Sequence, residues 1–430
     1  MELALRQATE FFAAELAEPG RVRPRWSEFE WRMARAAAVL QGVTPLLAGV
    51  LRWRGPRGWE RFLSQQRMHT AVRQLRIVAL LARIDEQARR AGVAIVPLKG
   101  AALYRLGVYS GGERPMADVD LLVAPCDAER VKQLLQGLGY LDTAVSWKHR
   151  VFEPAEHAVA IVRKAAVSFG EHADRTIKID LHTSIAERLP LAAQDVSALM
   201  FPAAPHPGLN HYPSAAALFA HLLLHAAGNM VPRALRLIQL HDLALLAARM
   251  ADDDWAQLLA WRLGGRALWW AVPPLELVAR YYPDAIPIEV LAALRPGCPR
   301  TLRGVSRRQT LSEVSFARLR IDAFPGIAWS TSMSDKLRYV LGRVIPSREL
   351  LDKRGGAIGT EAWGACGAWP QLSQGRRILR WALTRPGRPP AMHTVRAALE
   401  DPLIEAAPRQ PPADGSGECA DGSGVARQIL

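Results

Sequence analysis

Apolar residues recur at three- and four-residue spacing through residues 2–16, 26–51 and 60–90, the periodicity that lays one side of a helix against a core. Pro24 and Pro56 fall in the breaks between these stretches, where a missing N–H stops a helix. The pattern changes at Val93. Residues 93–98 form a short β-prone run ending at Lys99-Gly100, and a helix is expected over 101–108, followed by a turn at Ser110-Gly111-Gly112. A second strand is expected over 119–123. A second helix is expected over 127–138, with Asp127 as its N-cap and Gly139 just past its end. Residues 145–152 and 159–167 are weaker strand candidates, and 176–182 is a clearer one. From about Leu189 helical periodicity returns over 213–227, 233–250, 255–263, 267–281 and 334–344. Beyond Arg385 Pro, Gly, Ser and Ala accumulate, and residues 409–417 read as a disordered tail.

This order predicts an α+β fold: a small mixed β-sheet core flanked by helices, with a mostly helical C-terminal part. The expected divisions are an N-terminal helical segment at 1–90, the core at 91–188, a helical packing region at 189–353, and a tail at 354–430 that starts basic and ends rich in Pro and Gly.

Composition adds a direction to look in. Half of the 430 residues are hydrophobic and 22% are charged, as in an ordinary globular protein, but the net charge is +14. Between Arg300 and Arg388 there are 17 Lys and Arg against 6 Asp and Glu, so most of the excess lies in the C-terminal third, where an anionic partner would meet it. Aromatic residues such as Phe316, Phe324, Trp329, Tyr339 and Trp381 are interleaved there, and residues 376–383 could form a short basic amphipathic helix. A solvated surface is the plainer reading of the same charges. The four cysteines, Cys126, Cys298, Cys366 and Cys419, have neither zinc-site nor disulfide-framework spacing, so a reducing cytoplasm is the expected compartment. No run approaches the ~18 apolar residues of a membrane span, and no signal peptide is visible.

The candidate chemistry sits in Asp118-Val119-Asp120-Leu121-Leu122-Val123. In a strand, alternate side chains share a face, so Asp118 and Asp120 point one way while Val119, Leu121 and Val123 pack the other. Two carboxylates one pleat apart repel each other unless a cation joins them, and Mg²⁺ suits oxygen ligands with positions left for phosphates. In Ile177-Lys178-Ile179-Asp180-Leu181-His182 the same alternation puts Lys178, Asp180 and His182 on one polar face. If this strand lies beside the first, Asp180 becomes a third carboxylate, enough for two metal ions, with Mn²⁺ an alternative to Mg²⁺. Lys99 and Gly100 stand where a strand meets a helix, a place suited to phosphate. Arg114 could add a forked phosphate contact or pair with Asp118.

Taken in order, Pro97-Leu98-Lys99-Gly100, Arg114, Asp118-Val119-Asp120-Leu121-Leu122-Val123, Gly139-Tyr140 and Ile179-Asp180-Leu181-His182 resemble the uncharacterised bacterial nucleotidyltransferase family of the polymerase-β-type superfamily, over roughly residues 60–350. His225 in Leu222-Leu223-Leu224-His225 and Asp242 in Leu240-His241-Asp242-Leu243-Ala244 fit the same pattern. The resemblance implies transfer of a nucleoside monophosphate from an NTP, ATP among them, to an acceptor, with release of pyrophosphate. Asp118, Asp120 and Asp180 would be catalytic and bind metal. Lys99, Gly100 and Arg114 would bind the nucleotide, with Lys178 and His182 behind the carboxylates. Ala101 departs from the Ser or Gly that the superfamily places after its glycine, so a hydroxyl contact to phosphate is missing. The acceptor is expected to be a small molecule or a protein rather than a nucleic acid. A non-catalytic nucleotide-binding or scaffold protein is the alternative, and terminal nucleotide addition to RNA a third reading. His221 and His225, spaced i, i+4, read as packing residues rather than zinc ligands, because Leu222 stands where the metalloprotease motif has Glu. Asp242 is expected to pair with Arg236 or to cap a neighbouring element.

Overall fold

Four helices open the chain in the computed structural model, which describes residues 1–155, 169–345, 375–376, 378–379, 383 and 387–401. Helix α1 (Glu2–Ala17) buries Leu5, Phe12 and Leu16. Helix α2 (Glu28–Gln41) starts on a capping box in which Ser27 and Glu30 bond each other's backbone N–H groups. It stops at Gly42, whose φ of 69° is left-handed, and α3 (Thr44–Val50) starts afresh with Pro45 in its first turn. The periodic stretch over 26–51 is therefore two helices. Helix α4 (Arg57–Ala91) runs for 35 residues and ends at Gly92 in the same left-handed way.

The core follows. Strand β1 (Ala94–Pro97) leads into α5 (Lys99–Arg105), which begins at Lys99 rather than at Ala101 as expected. Strand β2 (Asp118–Val123) is followed by α6 (Ala128–Gly137), where Asp127 ends a 3-10 turn and makes no side-chain cap. Gly139, at φ 86°, turns the chain into β3 (Tyr140–Val145) and β4 (His149–Pro154). The expected strand over 145–152 thus straddles the turn of a hairpin. The candidate at 159–167 lies outside the described residues. Strand β5 (Lys178–His182) is where the alternation placed it. Three short strands break into the region expected to be helical from Leu189 onward or lie just before it: β6 (Ala186–Arg188), β7 (Ala193–Asp195) and β8 (Gly208–Leu209).

Six strands form one mixed sheet in the order β3-β4-β5-β2-β1-β8, and β6 pairs with β7 apart from it. Strands β2 and β5 run parallel at its centre, although 54 residues separate Val123 from Lys178. One face, with Val119, Leu121, Val123, Ile179, Leu181 and Phe152, is covered by Ile77, Leu81 and Ile84 of α4 and by Val131 and Leu135 of α6. The opposite face carries Val96 and Leu122 into a larger core shared with the helical body. That body comprises α7 (Ala215–Met230), α8 (Leu237–Ala247), α9 (Asp252–Ala260), α10 (Val272–Tyr281), α11 (Ile288–Leu294), α12 (Arg300–Ser306) and α13 (Met333–Val344).

The tail is not wholly unstructured. Helix α14 (Pro389–Glu400) packs on α2, and the buried Arg35 of α2 forms an ion pair with Asp401. The apolar face of α14, with Ala391, Val395 and Ala398 buried, repeats at the same spacing as the other helices, which a reading by Pro and Gly content overlooks. Much of the proposed amphipathic segment at 376–383 lies outside the described residues. No single helix among the described residues is long and apolar enough to cross a membrane.

Candidate active site

The parallel register of β2 and β5 decides the geometry. Asp120 lies directly opposite Asp180, Asp118 opposite Lys178, and Leu122 opposite His182. Residues in register share a sheet face, so the three carboxylates expected from alternation do come together on the side turned to the helical body. Val119, Leu121, Ile179 and Leu181 anchor the same strands from behind, all nearly or wholly buried.

A single ammonium stands among these acids. Lys99 Nζ donates to Asp120 Oδ1 at 2.8 Å, and His182 Nε2 lies 3.0 Å from the same oxygen. Lys99 itself has φ of 47°, a left-handed backbone that is uncommon outside glycine, and this turn carries its side chain back over the sheet. Burial alone would lower the Lys99 ammonium, but Asp120 and Asp118 outweigh it and raise its pKa. Burial would raise Asp120, but Lys99 and His182 hold it well below the usual carboxylate range. The other two acids lack such support. Burial and then Asp120 raise Asp118. Burial, Asp118 and Asp120 push Asp180 up to about 7. At Asp180 the neighbour is His149 of β4, with Nε2 3.3 Å from Oδ2, and burial pulls this imidazole down to about 4.

Several expected partners are elsewhere. The fork of Arg114 is taken by Asp242 of α8, Nε to Oδ1 at 2.8 Å and Nη2 to Oδ2 at 2.7 Å, and Tyr109 donates to the same carboxylate at 2.6 Å. Arg114 therefore contacts neither Asp118 nor open space with its fork, and Asp242 does not pair with Arg236. A buried bidentate pair is satisfied only when both partners meet, which sequence order does not reveal. Gly100 is required by packing: a Cβ there would stand 2.2 Å from Arg114 Nη1 and 2.8 Å from Met116 Sδ. Lys178 turns away from the cluster to Glu153, at 2.8 Å.

Two residues that carry no motif hold the site. Arg73, buried in α4, donates to the carbonyls of Met116 (2.9 Å) and Ala117 (3.3 Å) just before β2, and to that of Arg175 just before β5. It ties together the two loops that deliver the acids. His149, the other, belongs to no pattern in β4; the only signal for it is its register with His182 across the sheet.

The acids open into a pocket of about 400 Å³ between the sheet and the helical body. Helix α7 supplies His221, His225 and Asn229 to its far wall, and the start of α8 supplies Arg236 and Gln239. His221 bonds Tyr212 at 2.7 Å, while His225 faces Glu187 of β6 at 3.8 Å. Glu187 also binds Lys148.

A family model described as "uncharacterised nucleotidyltransferase" matches residues 27–264, more than half of the chain. This chain belongs to that nucleotidyltransferase family. No curated protein and no solved structure gives a significant match. The matched span runs from the start of α2 to just beyond α9 and contains every acid and base named in the site. It ends before the basic stretch at 300–388, which belongs to what the family model does not cover.

Nucleotidyltransferases are generally dependent on a divalent metal, and the donor set here fits one. Three carboxylates share one ammonium, and two of them are pushed up by burial and then by the charge of their neighbours, a strain that a bound cation would relieve. His149, Asp180 and His182 form a second grouping, each with a ligand atom within 4.8 Å of the others. The carboxylate set suits Mg²⁺ or Mn²⁺, and the mixed nitrogen and oxygen set suits a transition metal.

Proposed function

We propose that this nucleotidyltransferase is catalytically active and of the polymerase-β type, and that it moves a nucleoside monophosphate from an NTP to an acceptor with release of pyrophosphate. The observation that carries this reading is the pairing of Asp120 with Asp180 on adjoining parallel strands, with Asp118 one pleat along, at the floor of a pocket large enough for a nucleotide.

In this reading Asp118 and Asp120 would hold both divalent ions, Mg²⁺ or Mn²⁺, and Asp180 would hold one. The bound metal supplies Lewis-acid stabilisation of charge at the reacting phosphorus and the departing pyrophosphate. An acceptor oxygen or nitrogen forms a bond to the α-phosphorus as the bond to the bridging oxygen breaks. Asp180 orients the acceptor or takes its proton. Lys99 lies at the phosphate end, next to Gly100. Arg114 holds α8 against the loop before β2. Of the helices after residue 189, α7 frames the acceptor side, since its His225 faces Glu187 across the pocket. The acceptor is a small molecule or a protein, because the acids lie in a recess and the basic stretch lies outside the matched span. The proposed compartment is the bacterial cytoplasm, in keeping with cysteines that lack disulfide spacing.

The test is incubation with each α-labelled NTP, Mg²⁺ and cell extract, with pyrophosphate release measured in parallel. Asp120→Asn should abolish label transfer and pyrophosphate release while leaving a cooperative thermal transition. Unchanged turnover in that variant would sink the metal assignment. Mg²⁺-dependent stabilisation by NTPs with no pyrophosphate released would replace the enzyme with a nucleotide-binding module.

A further inference from the structure

Four cationic side chains of Lys or Arg line the pocket: Lys99, Arg114, Lys148 and Arg236. Three of them have carboxylate partners, Asp120, Asp242 and Glu187 respectively. Arg236 has none within 4.0 Å among the described residues, and its Nε is buried without a hydrogen-bond partner. Arg236 is half-buried with only its Nε closed off from water, and a cation held in a pocket without a carboxylate contact is open to an anionic ligand.

The surroundings show where that anion belongs. Glu171 is the nearby acid with most influence on Arg236, but it lies 3.6 Å from Arg73 instead. The guanidinium passes over Gly42, where a Cβ would stand 2.3 Å from Nη2, so the end of α2 is left bare to admit it. Its backbone is fixed: Arg236 N–H donates to Gln239 Oε1 at 2.9 Å, and Leu237 N–H donates to Gln41 Oε1 at 2.8 Å. The charge of Arg236 is felt at Asp118 on β2, whereas His149 lies on β4, two strands across the sheet, next to Lys148, which binds Glu187. A half-buried guanidinium with no carboxylate in contact, held beside the proposed metal-binding carboxylates, matches a polyphosphate, whose oxygens accept forked N–H donors.

We propose that Arg236 binds the triphosphate of the incoming nucleotide, so that the triphosphate enters on the α8 side and the acceptor approaches from the Glu187 side. This assignment rests on the nucleotidyl-transfer reading for the identity of the ligand as a nucleotide. It does not rest on that reading for the affinity of the site for polyphosphate.

The experiment is calorimetric titration of the full chain in Mg²⁺ with inorganic tripolyphosphate, ATP and AMP. Arg236→Met should weaken tripolyphosphate and ATP by a similar factor, about 10- to 100-fold for one charge-assisted contact, and leave AMP within about twofold. Arg236→Lys, which keeps the charge but loses the fork, should fold like the wild type and weaken tripolyphosphate several-fold. Lys148→Met, which removes a cation already satisfied by Glu187, should leave tripolyphosphate affinity within about twofold. Equal tripolyphosphate affinity in the wild type, Arg236→Lys and Arg236→Met would overturn the assignment, as would equal losses for AMP and ATP. Wild-type binding of tripolyphosphate that Arg236→Met weakens, with no NTP bound, would keep Arg236 as a polyphosphate site and overturn nucleotidyl transfer. Wild-type binding of neither would overturn both.

Discussion

Replacing Lys99 by Met tests whether one ammonium stands in for a metal ion. The side chain keeps its length and loses its charge. In the wild type that charge lies 2.8 Å from Asp120 and also acts on Asp118 and Asp180, in a site where Lys99 and Asp120 are largely removed from water. Removing one partner of a buried ion pair costs about 3–5 kcal/mol. Here the loss should fall near the lower figure, because His182 still bonds Asp120 and the acids can take up protons. In chelator at pH 8 the melting temperature should therefore drop by roughly 3–6 °C, given about 1–2 °C per kcal/mol for a chain of this size. Mg²⁺ should recover most of that drop. A unit charge about 4 Å from another is worth on the order of 4 kcal/mol at an effective dielectric of 20, so removing a cation from beside a divalent ion should tighten binding by at least tenfold after rearrangement is allowed for. The assay is thermal unfolding of the wild type and Lys99→Met in chelator and across a Mg²⁺ titration. A variant that melts within about 1 °C of the wild type in chelator, or that gains no more from Mg²⁺ than the wild type does, would refute the idea that Lys99 and a metal ion compete for the same acids.

Asp180 predicts a pH dependence with a definite sign. Its folded pKa of about 7 lies above the ordinary 3.8, so the metal-free protein binds an extra proton on folding and this group makes it more stable as pH falls from 8 toward 6.5. Below 6.5 the effect is opposed by His149, whose folded value of about 4 resists protonation. Melting temperature in chelator should rise from pH 8 to pH 6.5 while the Mg²⁺-induced shift shrinks, and Asp180→Asn should flatten both; a flat wild-type profile contradicts the coupling. Asp242→Ala should destabilise the fold by about 3–5 kcal/mol in urea titration, because it strands the buried Arg114 guanidinium and the Tyr109 hydroxyl. A stable Asp242→Ala protein with only a raised KM for NTP would return Arg114 to the phosphate.

The carboxylates were legible because a strand's two-residue period is a local property. Val119, Leu121 and Ile179 name the buried face of their strands, and Asp118, Asp120 and Asp180 follow on the other. Their meeting was not local: it depends on β2 pairing with β5 in a register set by the sheet, and only the resemblance to a family suggested it. The helices were legible wherever an apolar stripe ran long enough, as in α4, and their ends were legible where a glycine adopts positive φ, as at Gly92. The division of α2 from α3 was missed because apolar spacing continues across Gly42. The short strands β6 to β8 were missed because two or three residues carry no period. Partner choice among charges was the least legible feature. Arg114 is 4 residues from Asp118 in sequence yet pairs with Asp242, 128 residues away. Arg73 and His149 act through backbone carbonyls and cross-strand register, neither of which leaves a trace in residue type.

Asp180 belongs to both metal groupings, and the bonds already present favour one of them. For His149, Asp180 and His182 to bind an ion together, His182 would have to give up its contact with Asp120 Oδ1 if it ligates through Nε2. That leaves Asp120 with Lys99 alone and puts the ion at the edge of the acids, away from Asp118. For the carboxylates to bind, only the Lys99 ammonium has to move, on a stem of four flexible carbons. His182 then keeps its bond and steadies Asp120, as a partner behind a ligand does in many metal sites. The displaced ammonium remains tethered at the head of α5, beside the pocket, with its charge newly uncompensated. On the proposed reading, loading of the acids would thus free a cation for phosphate at the moment a nucleotide can be held. The site would go from one cation without a carboxylate contact, Arg236, to two. If that coupling operates, Mg²⁺ should tighten tripolyphosphate binding in the wild type by more than it does in Lys99→Met, although the variant binds the metal more tightly.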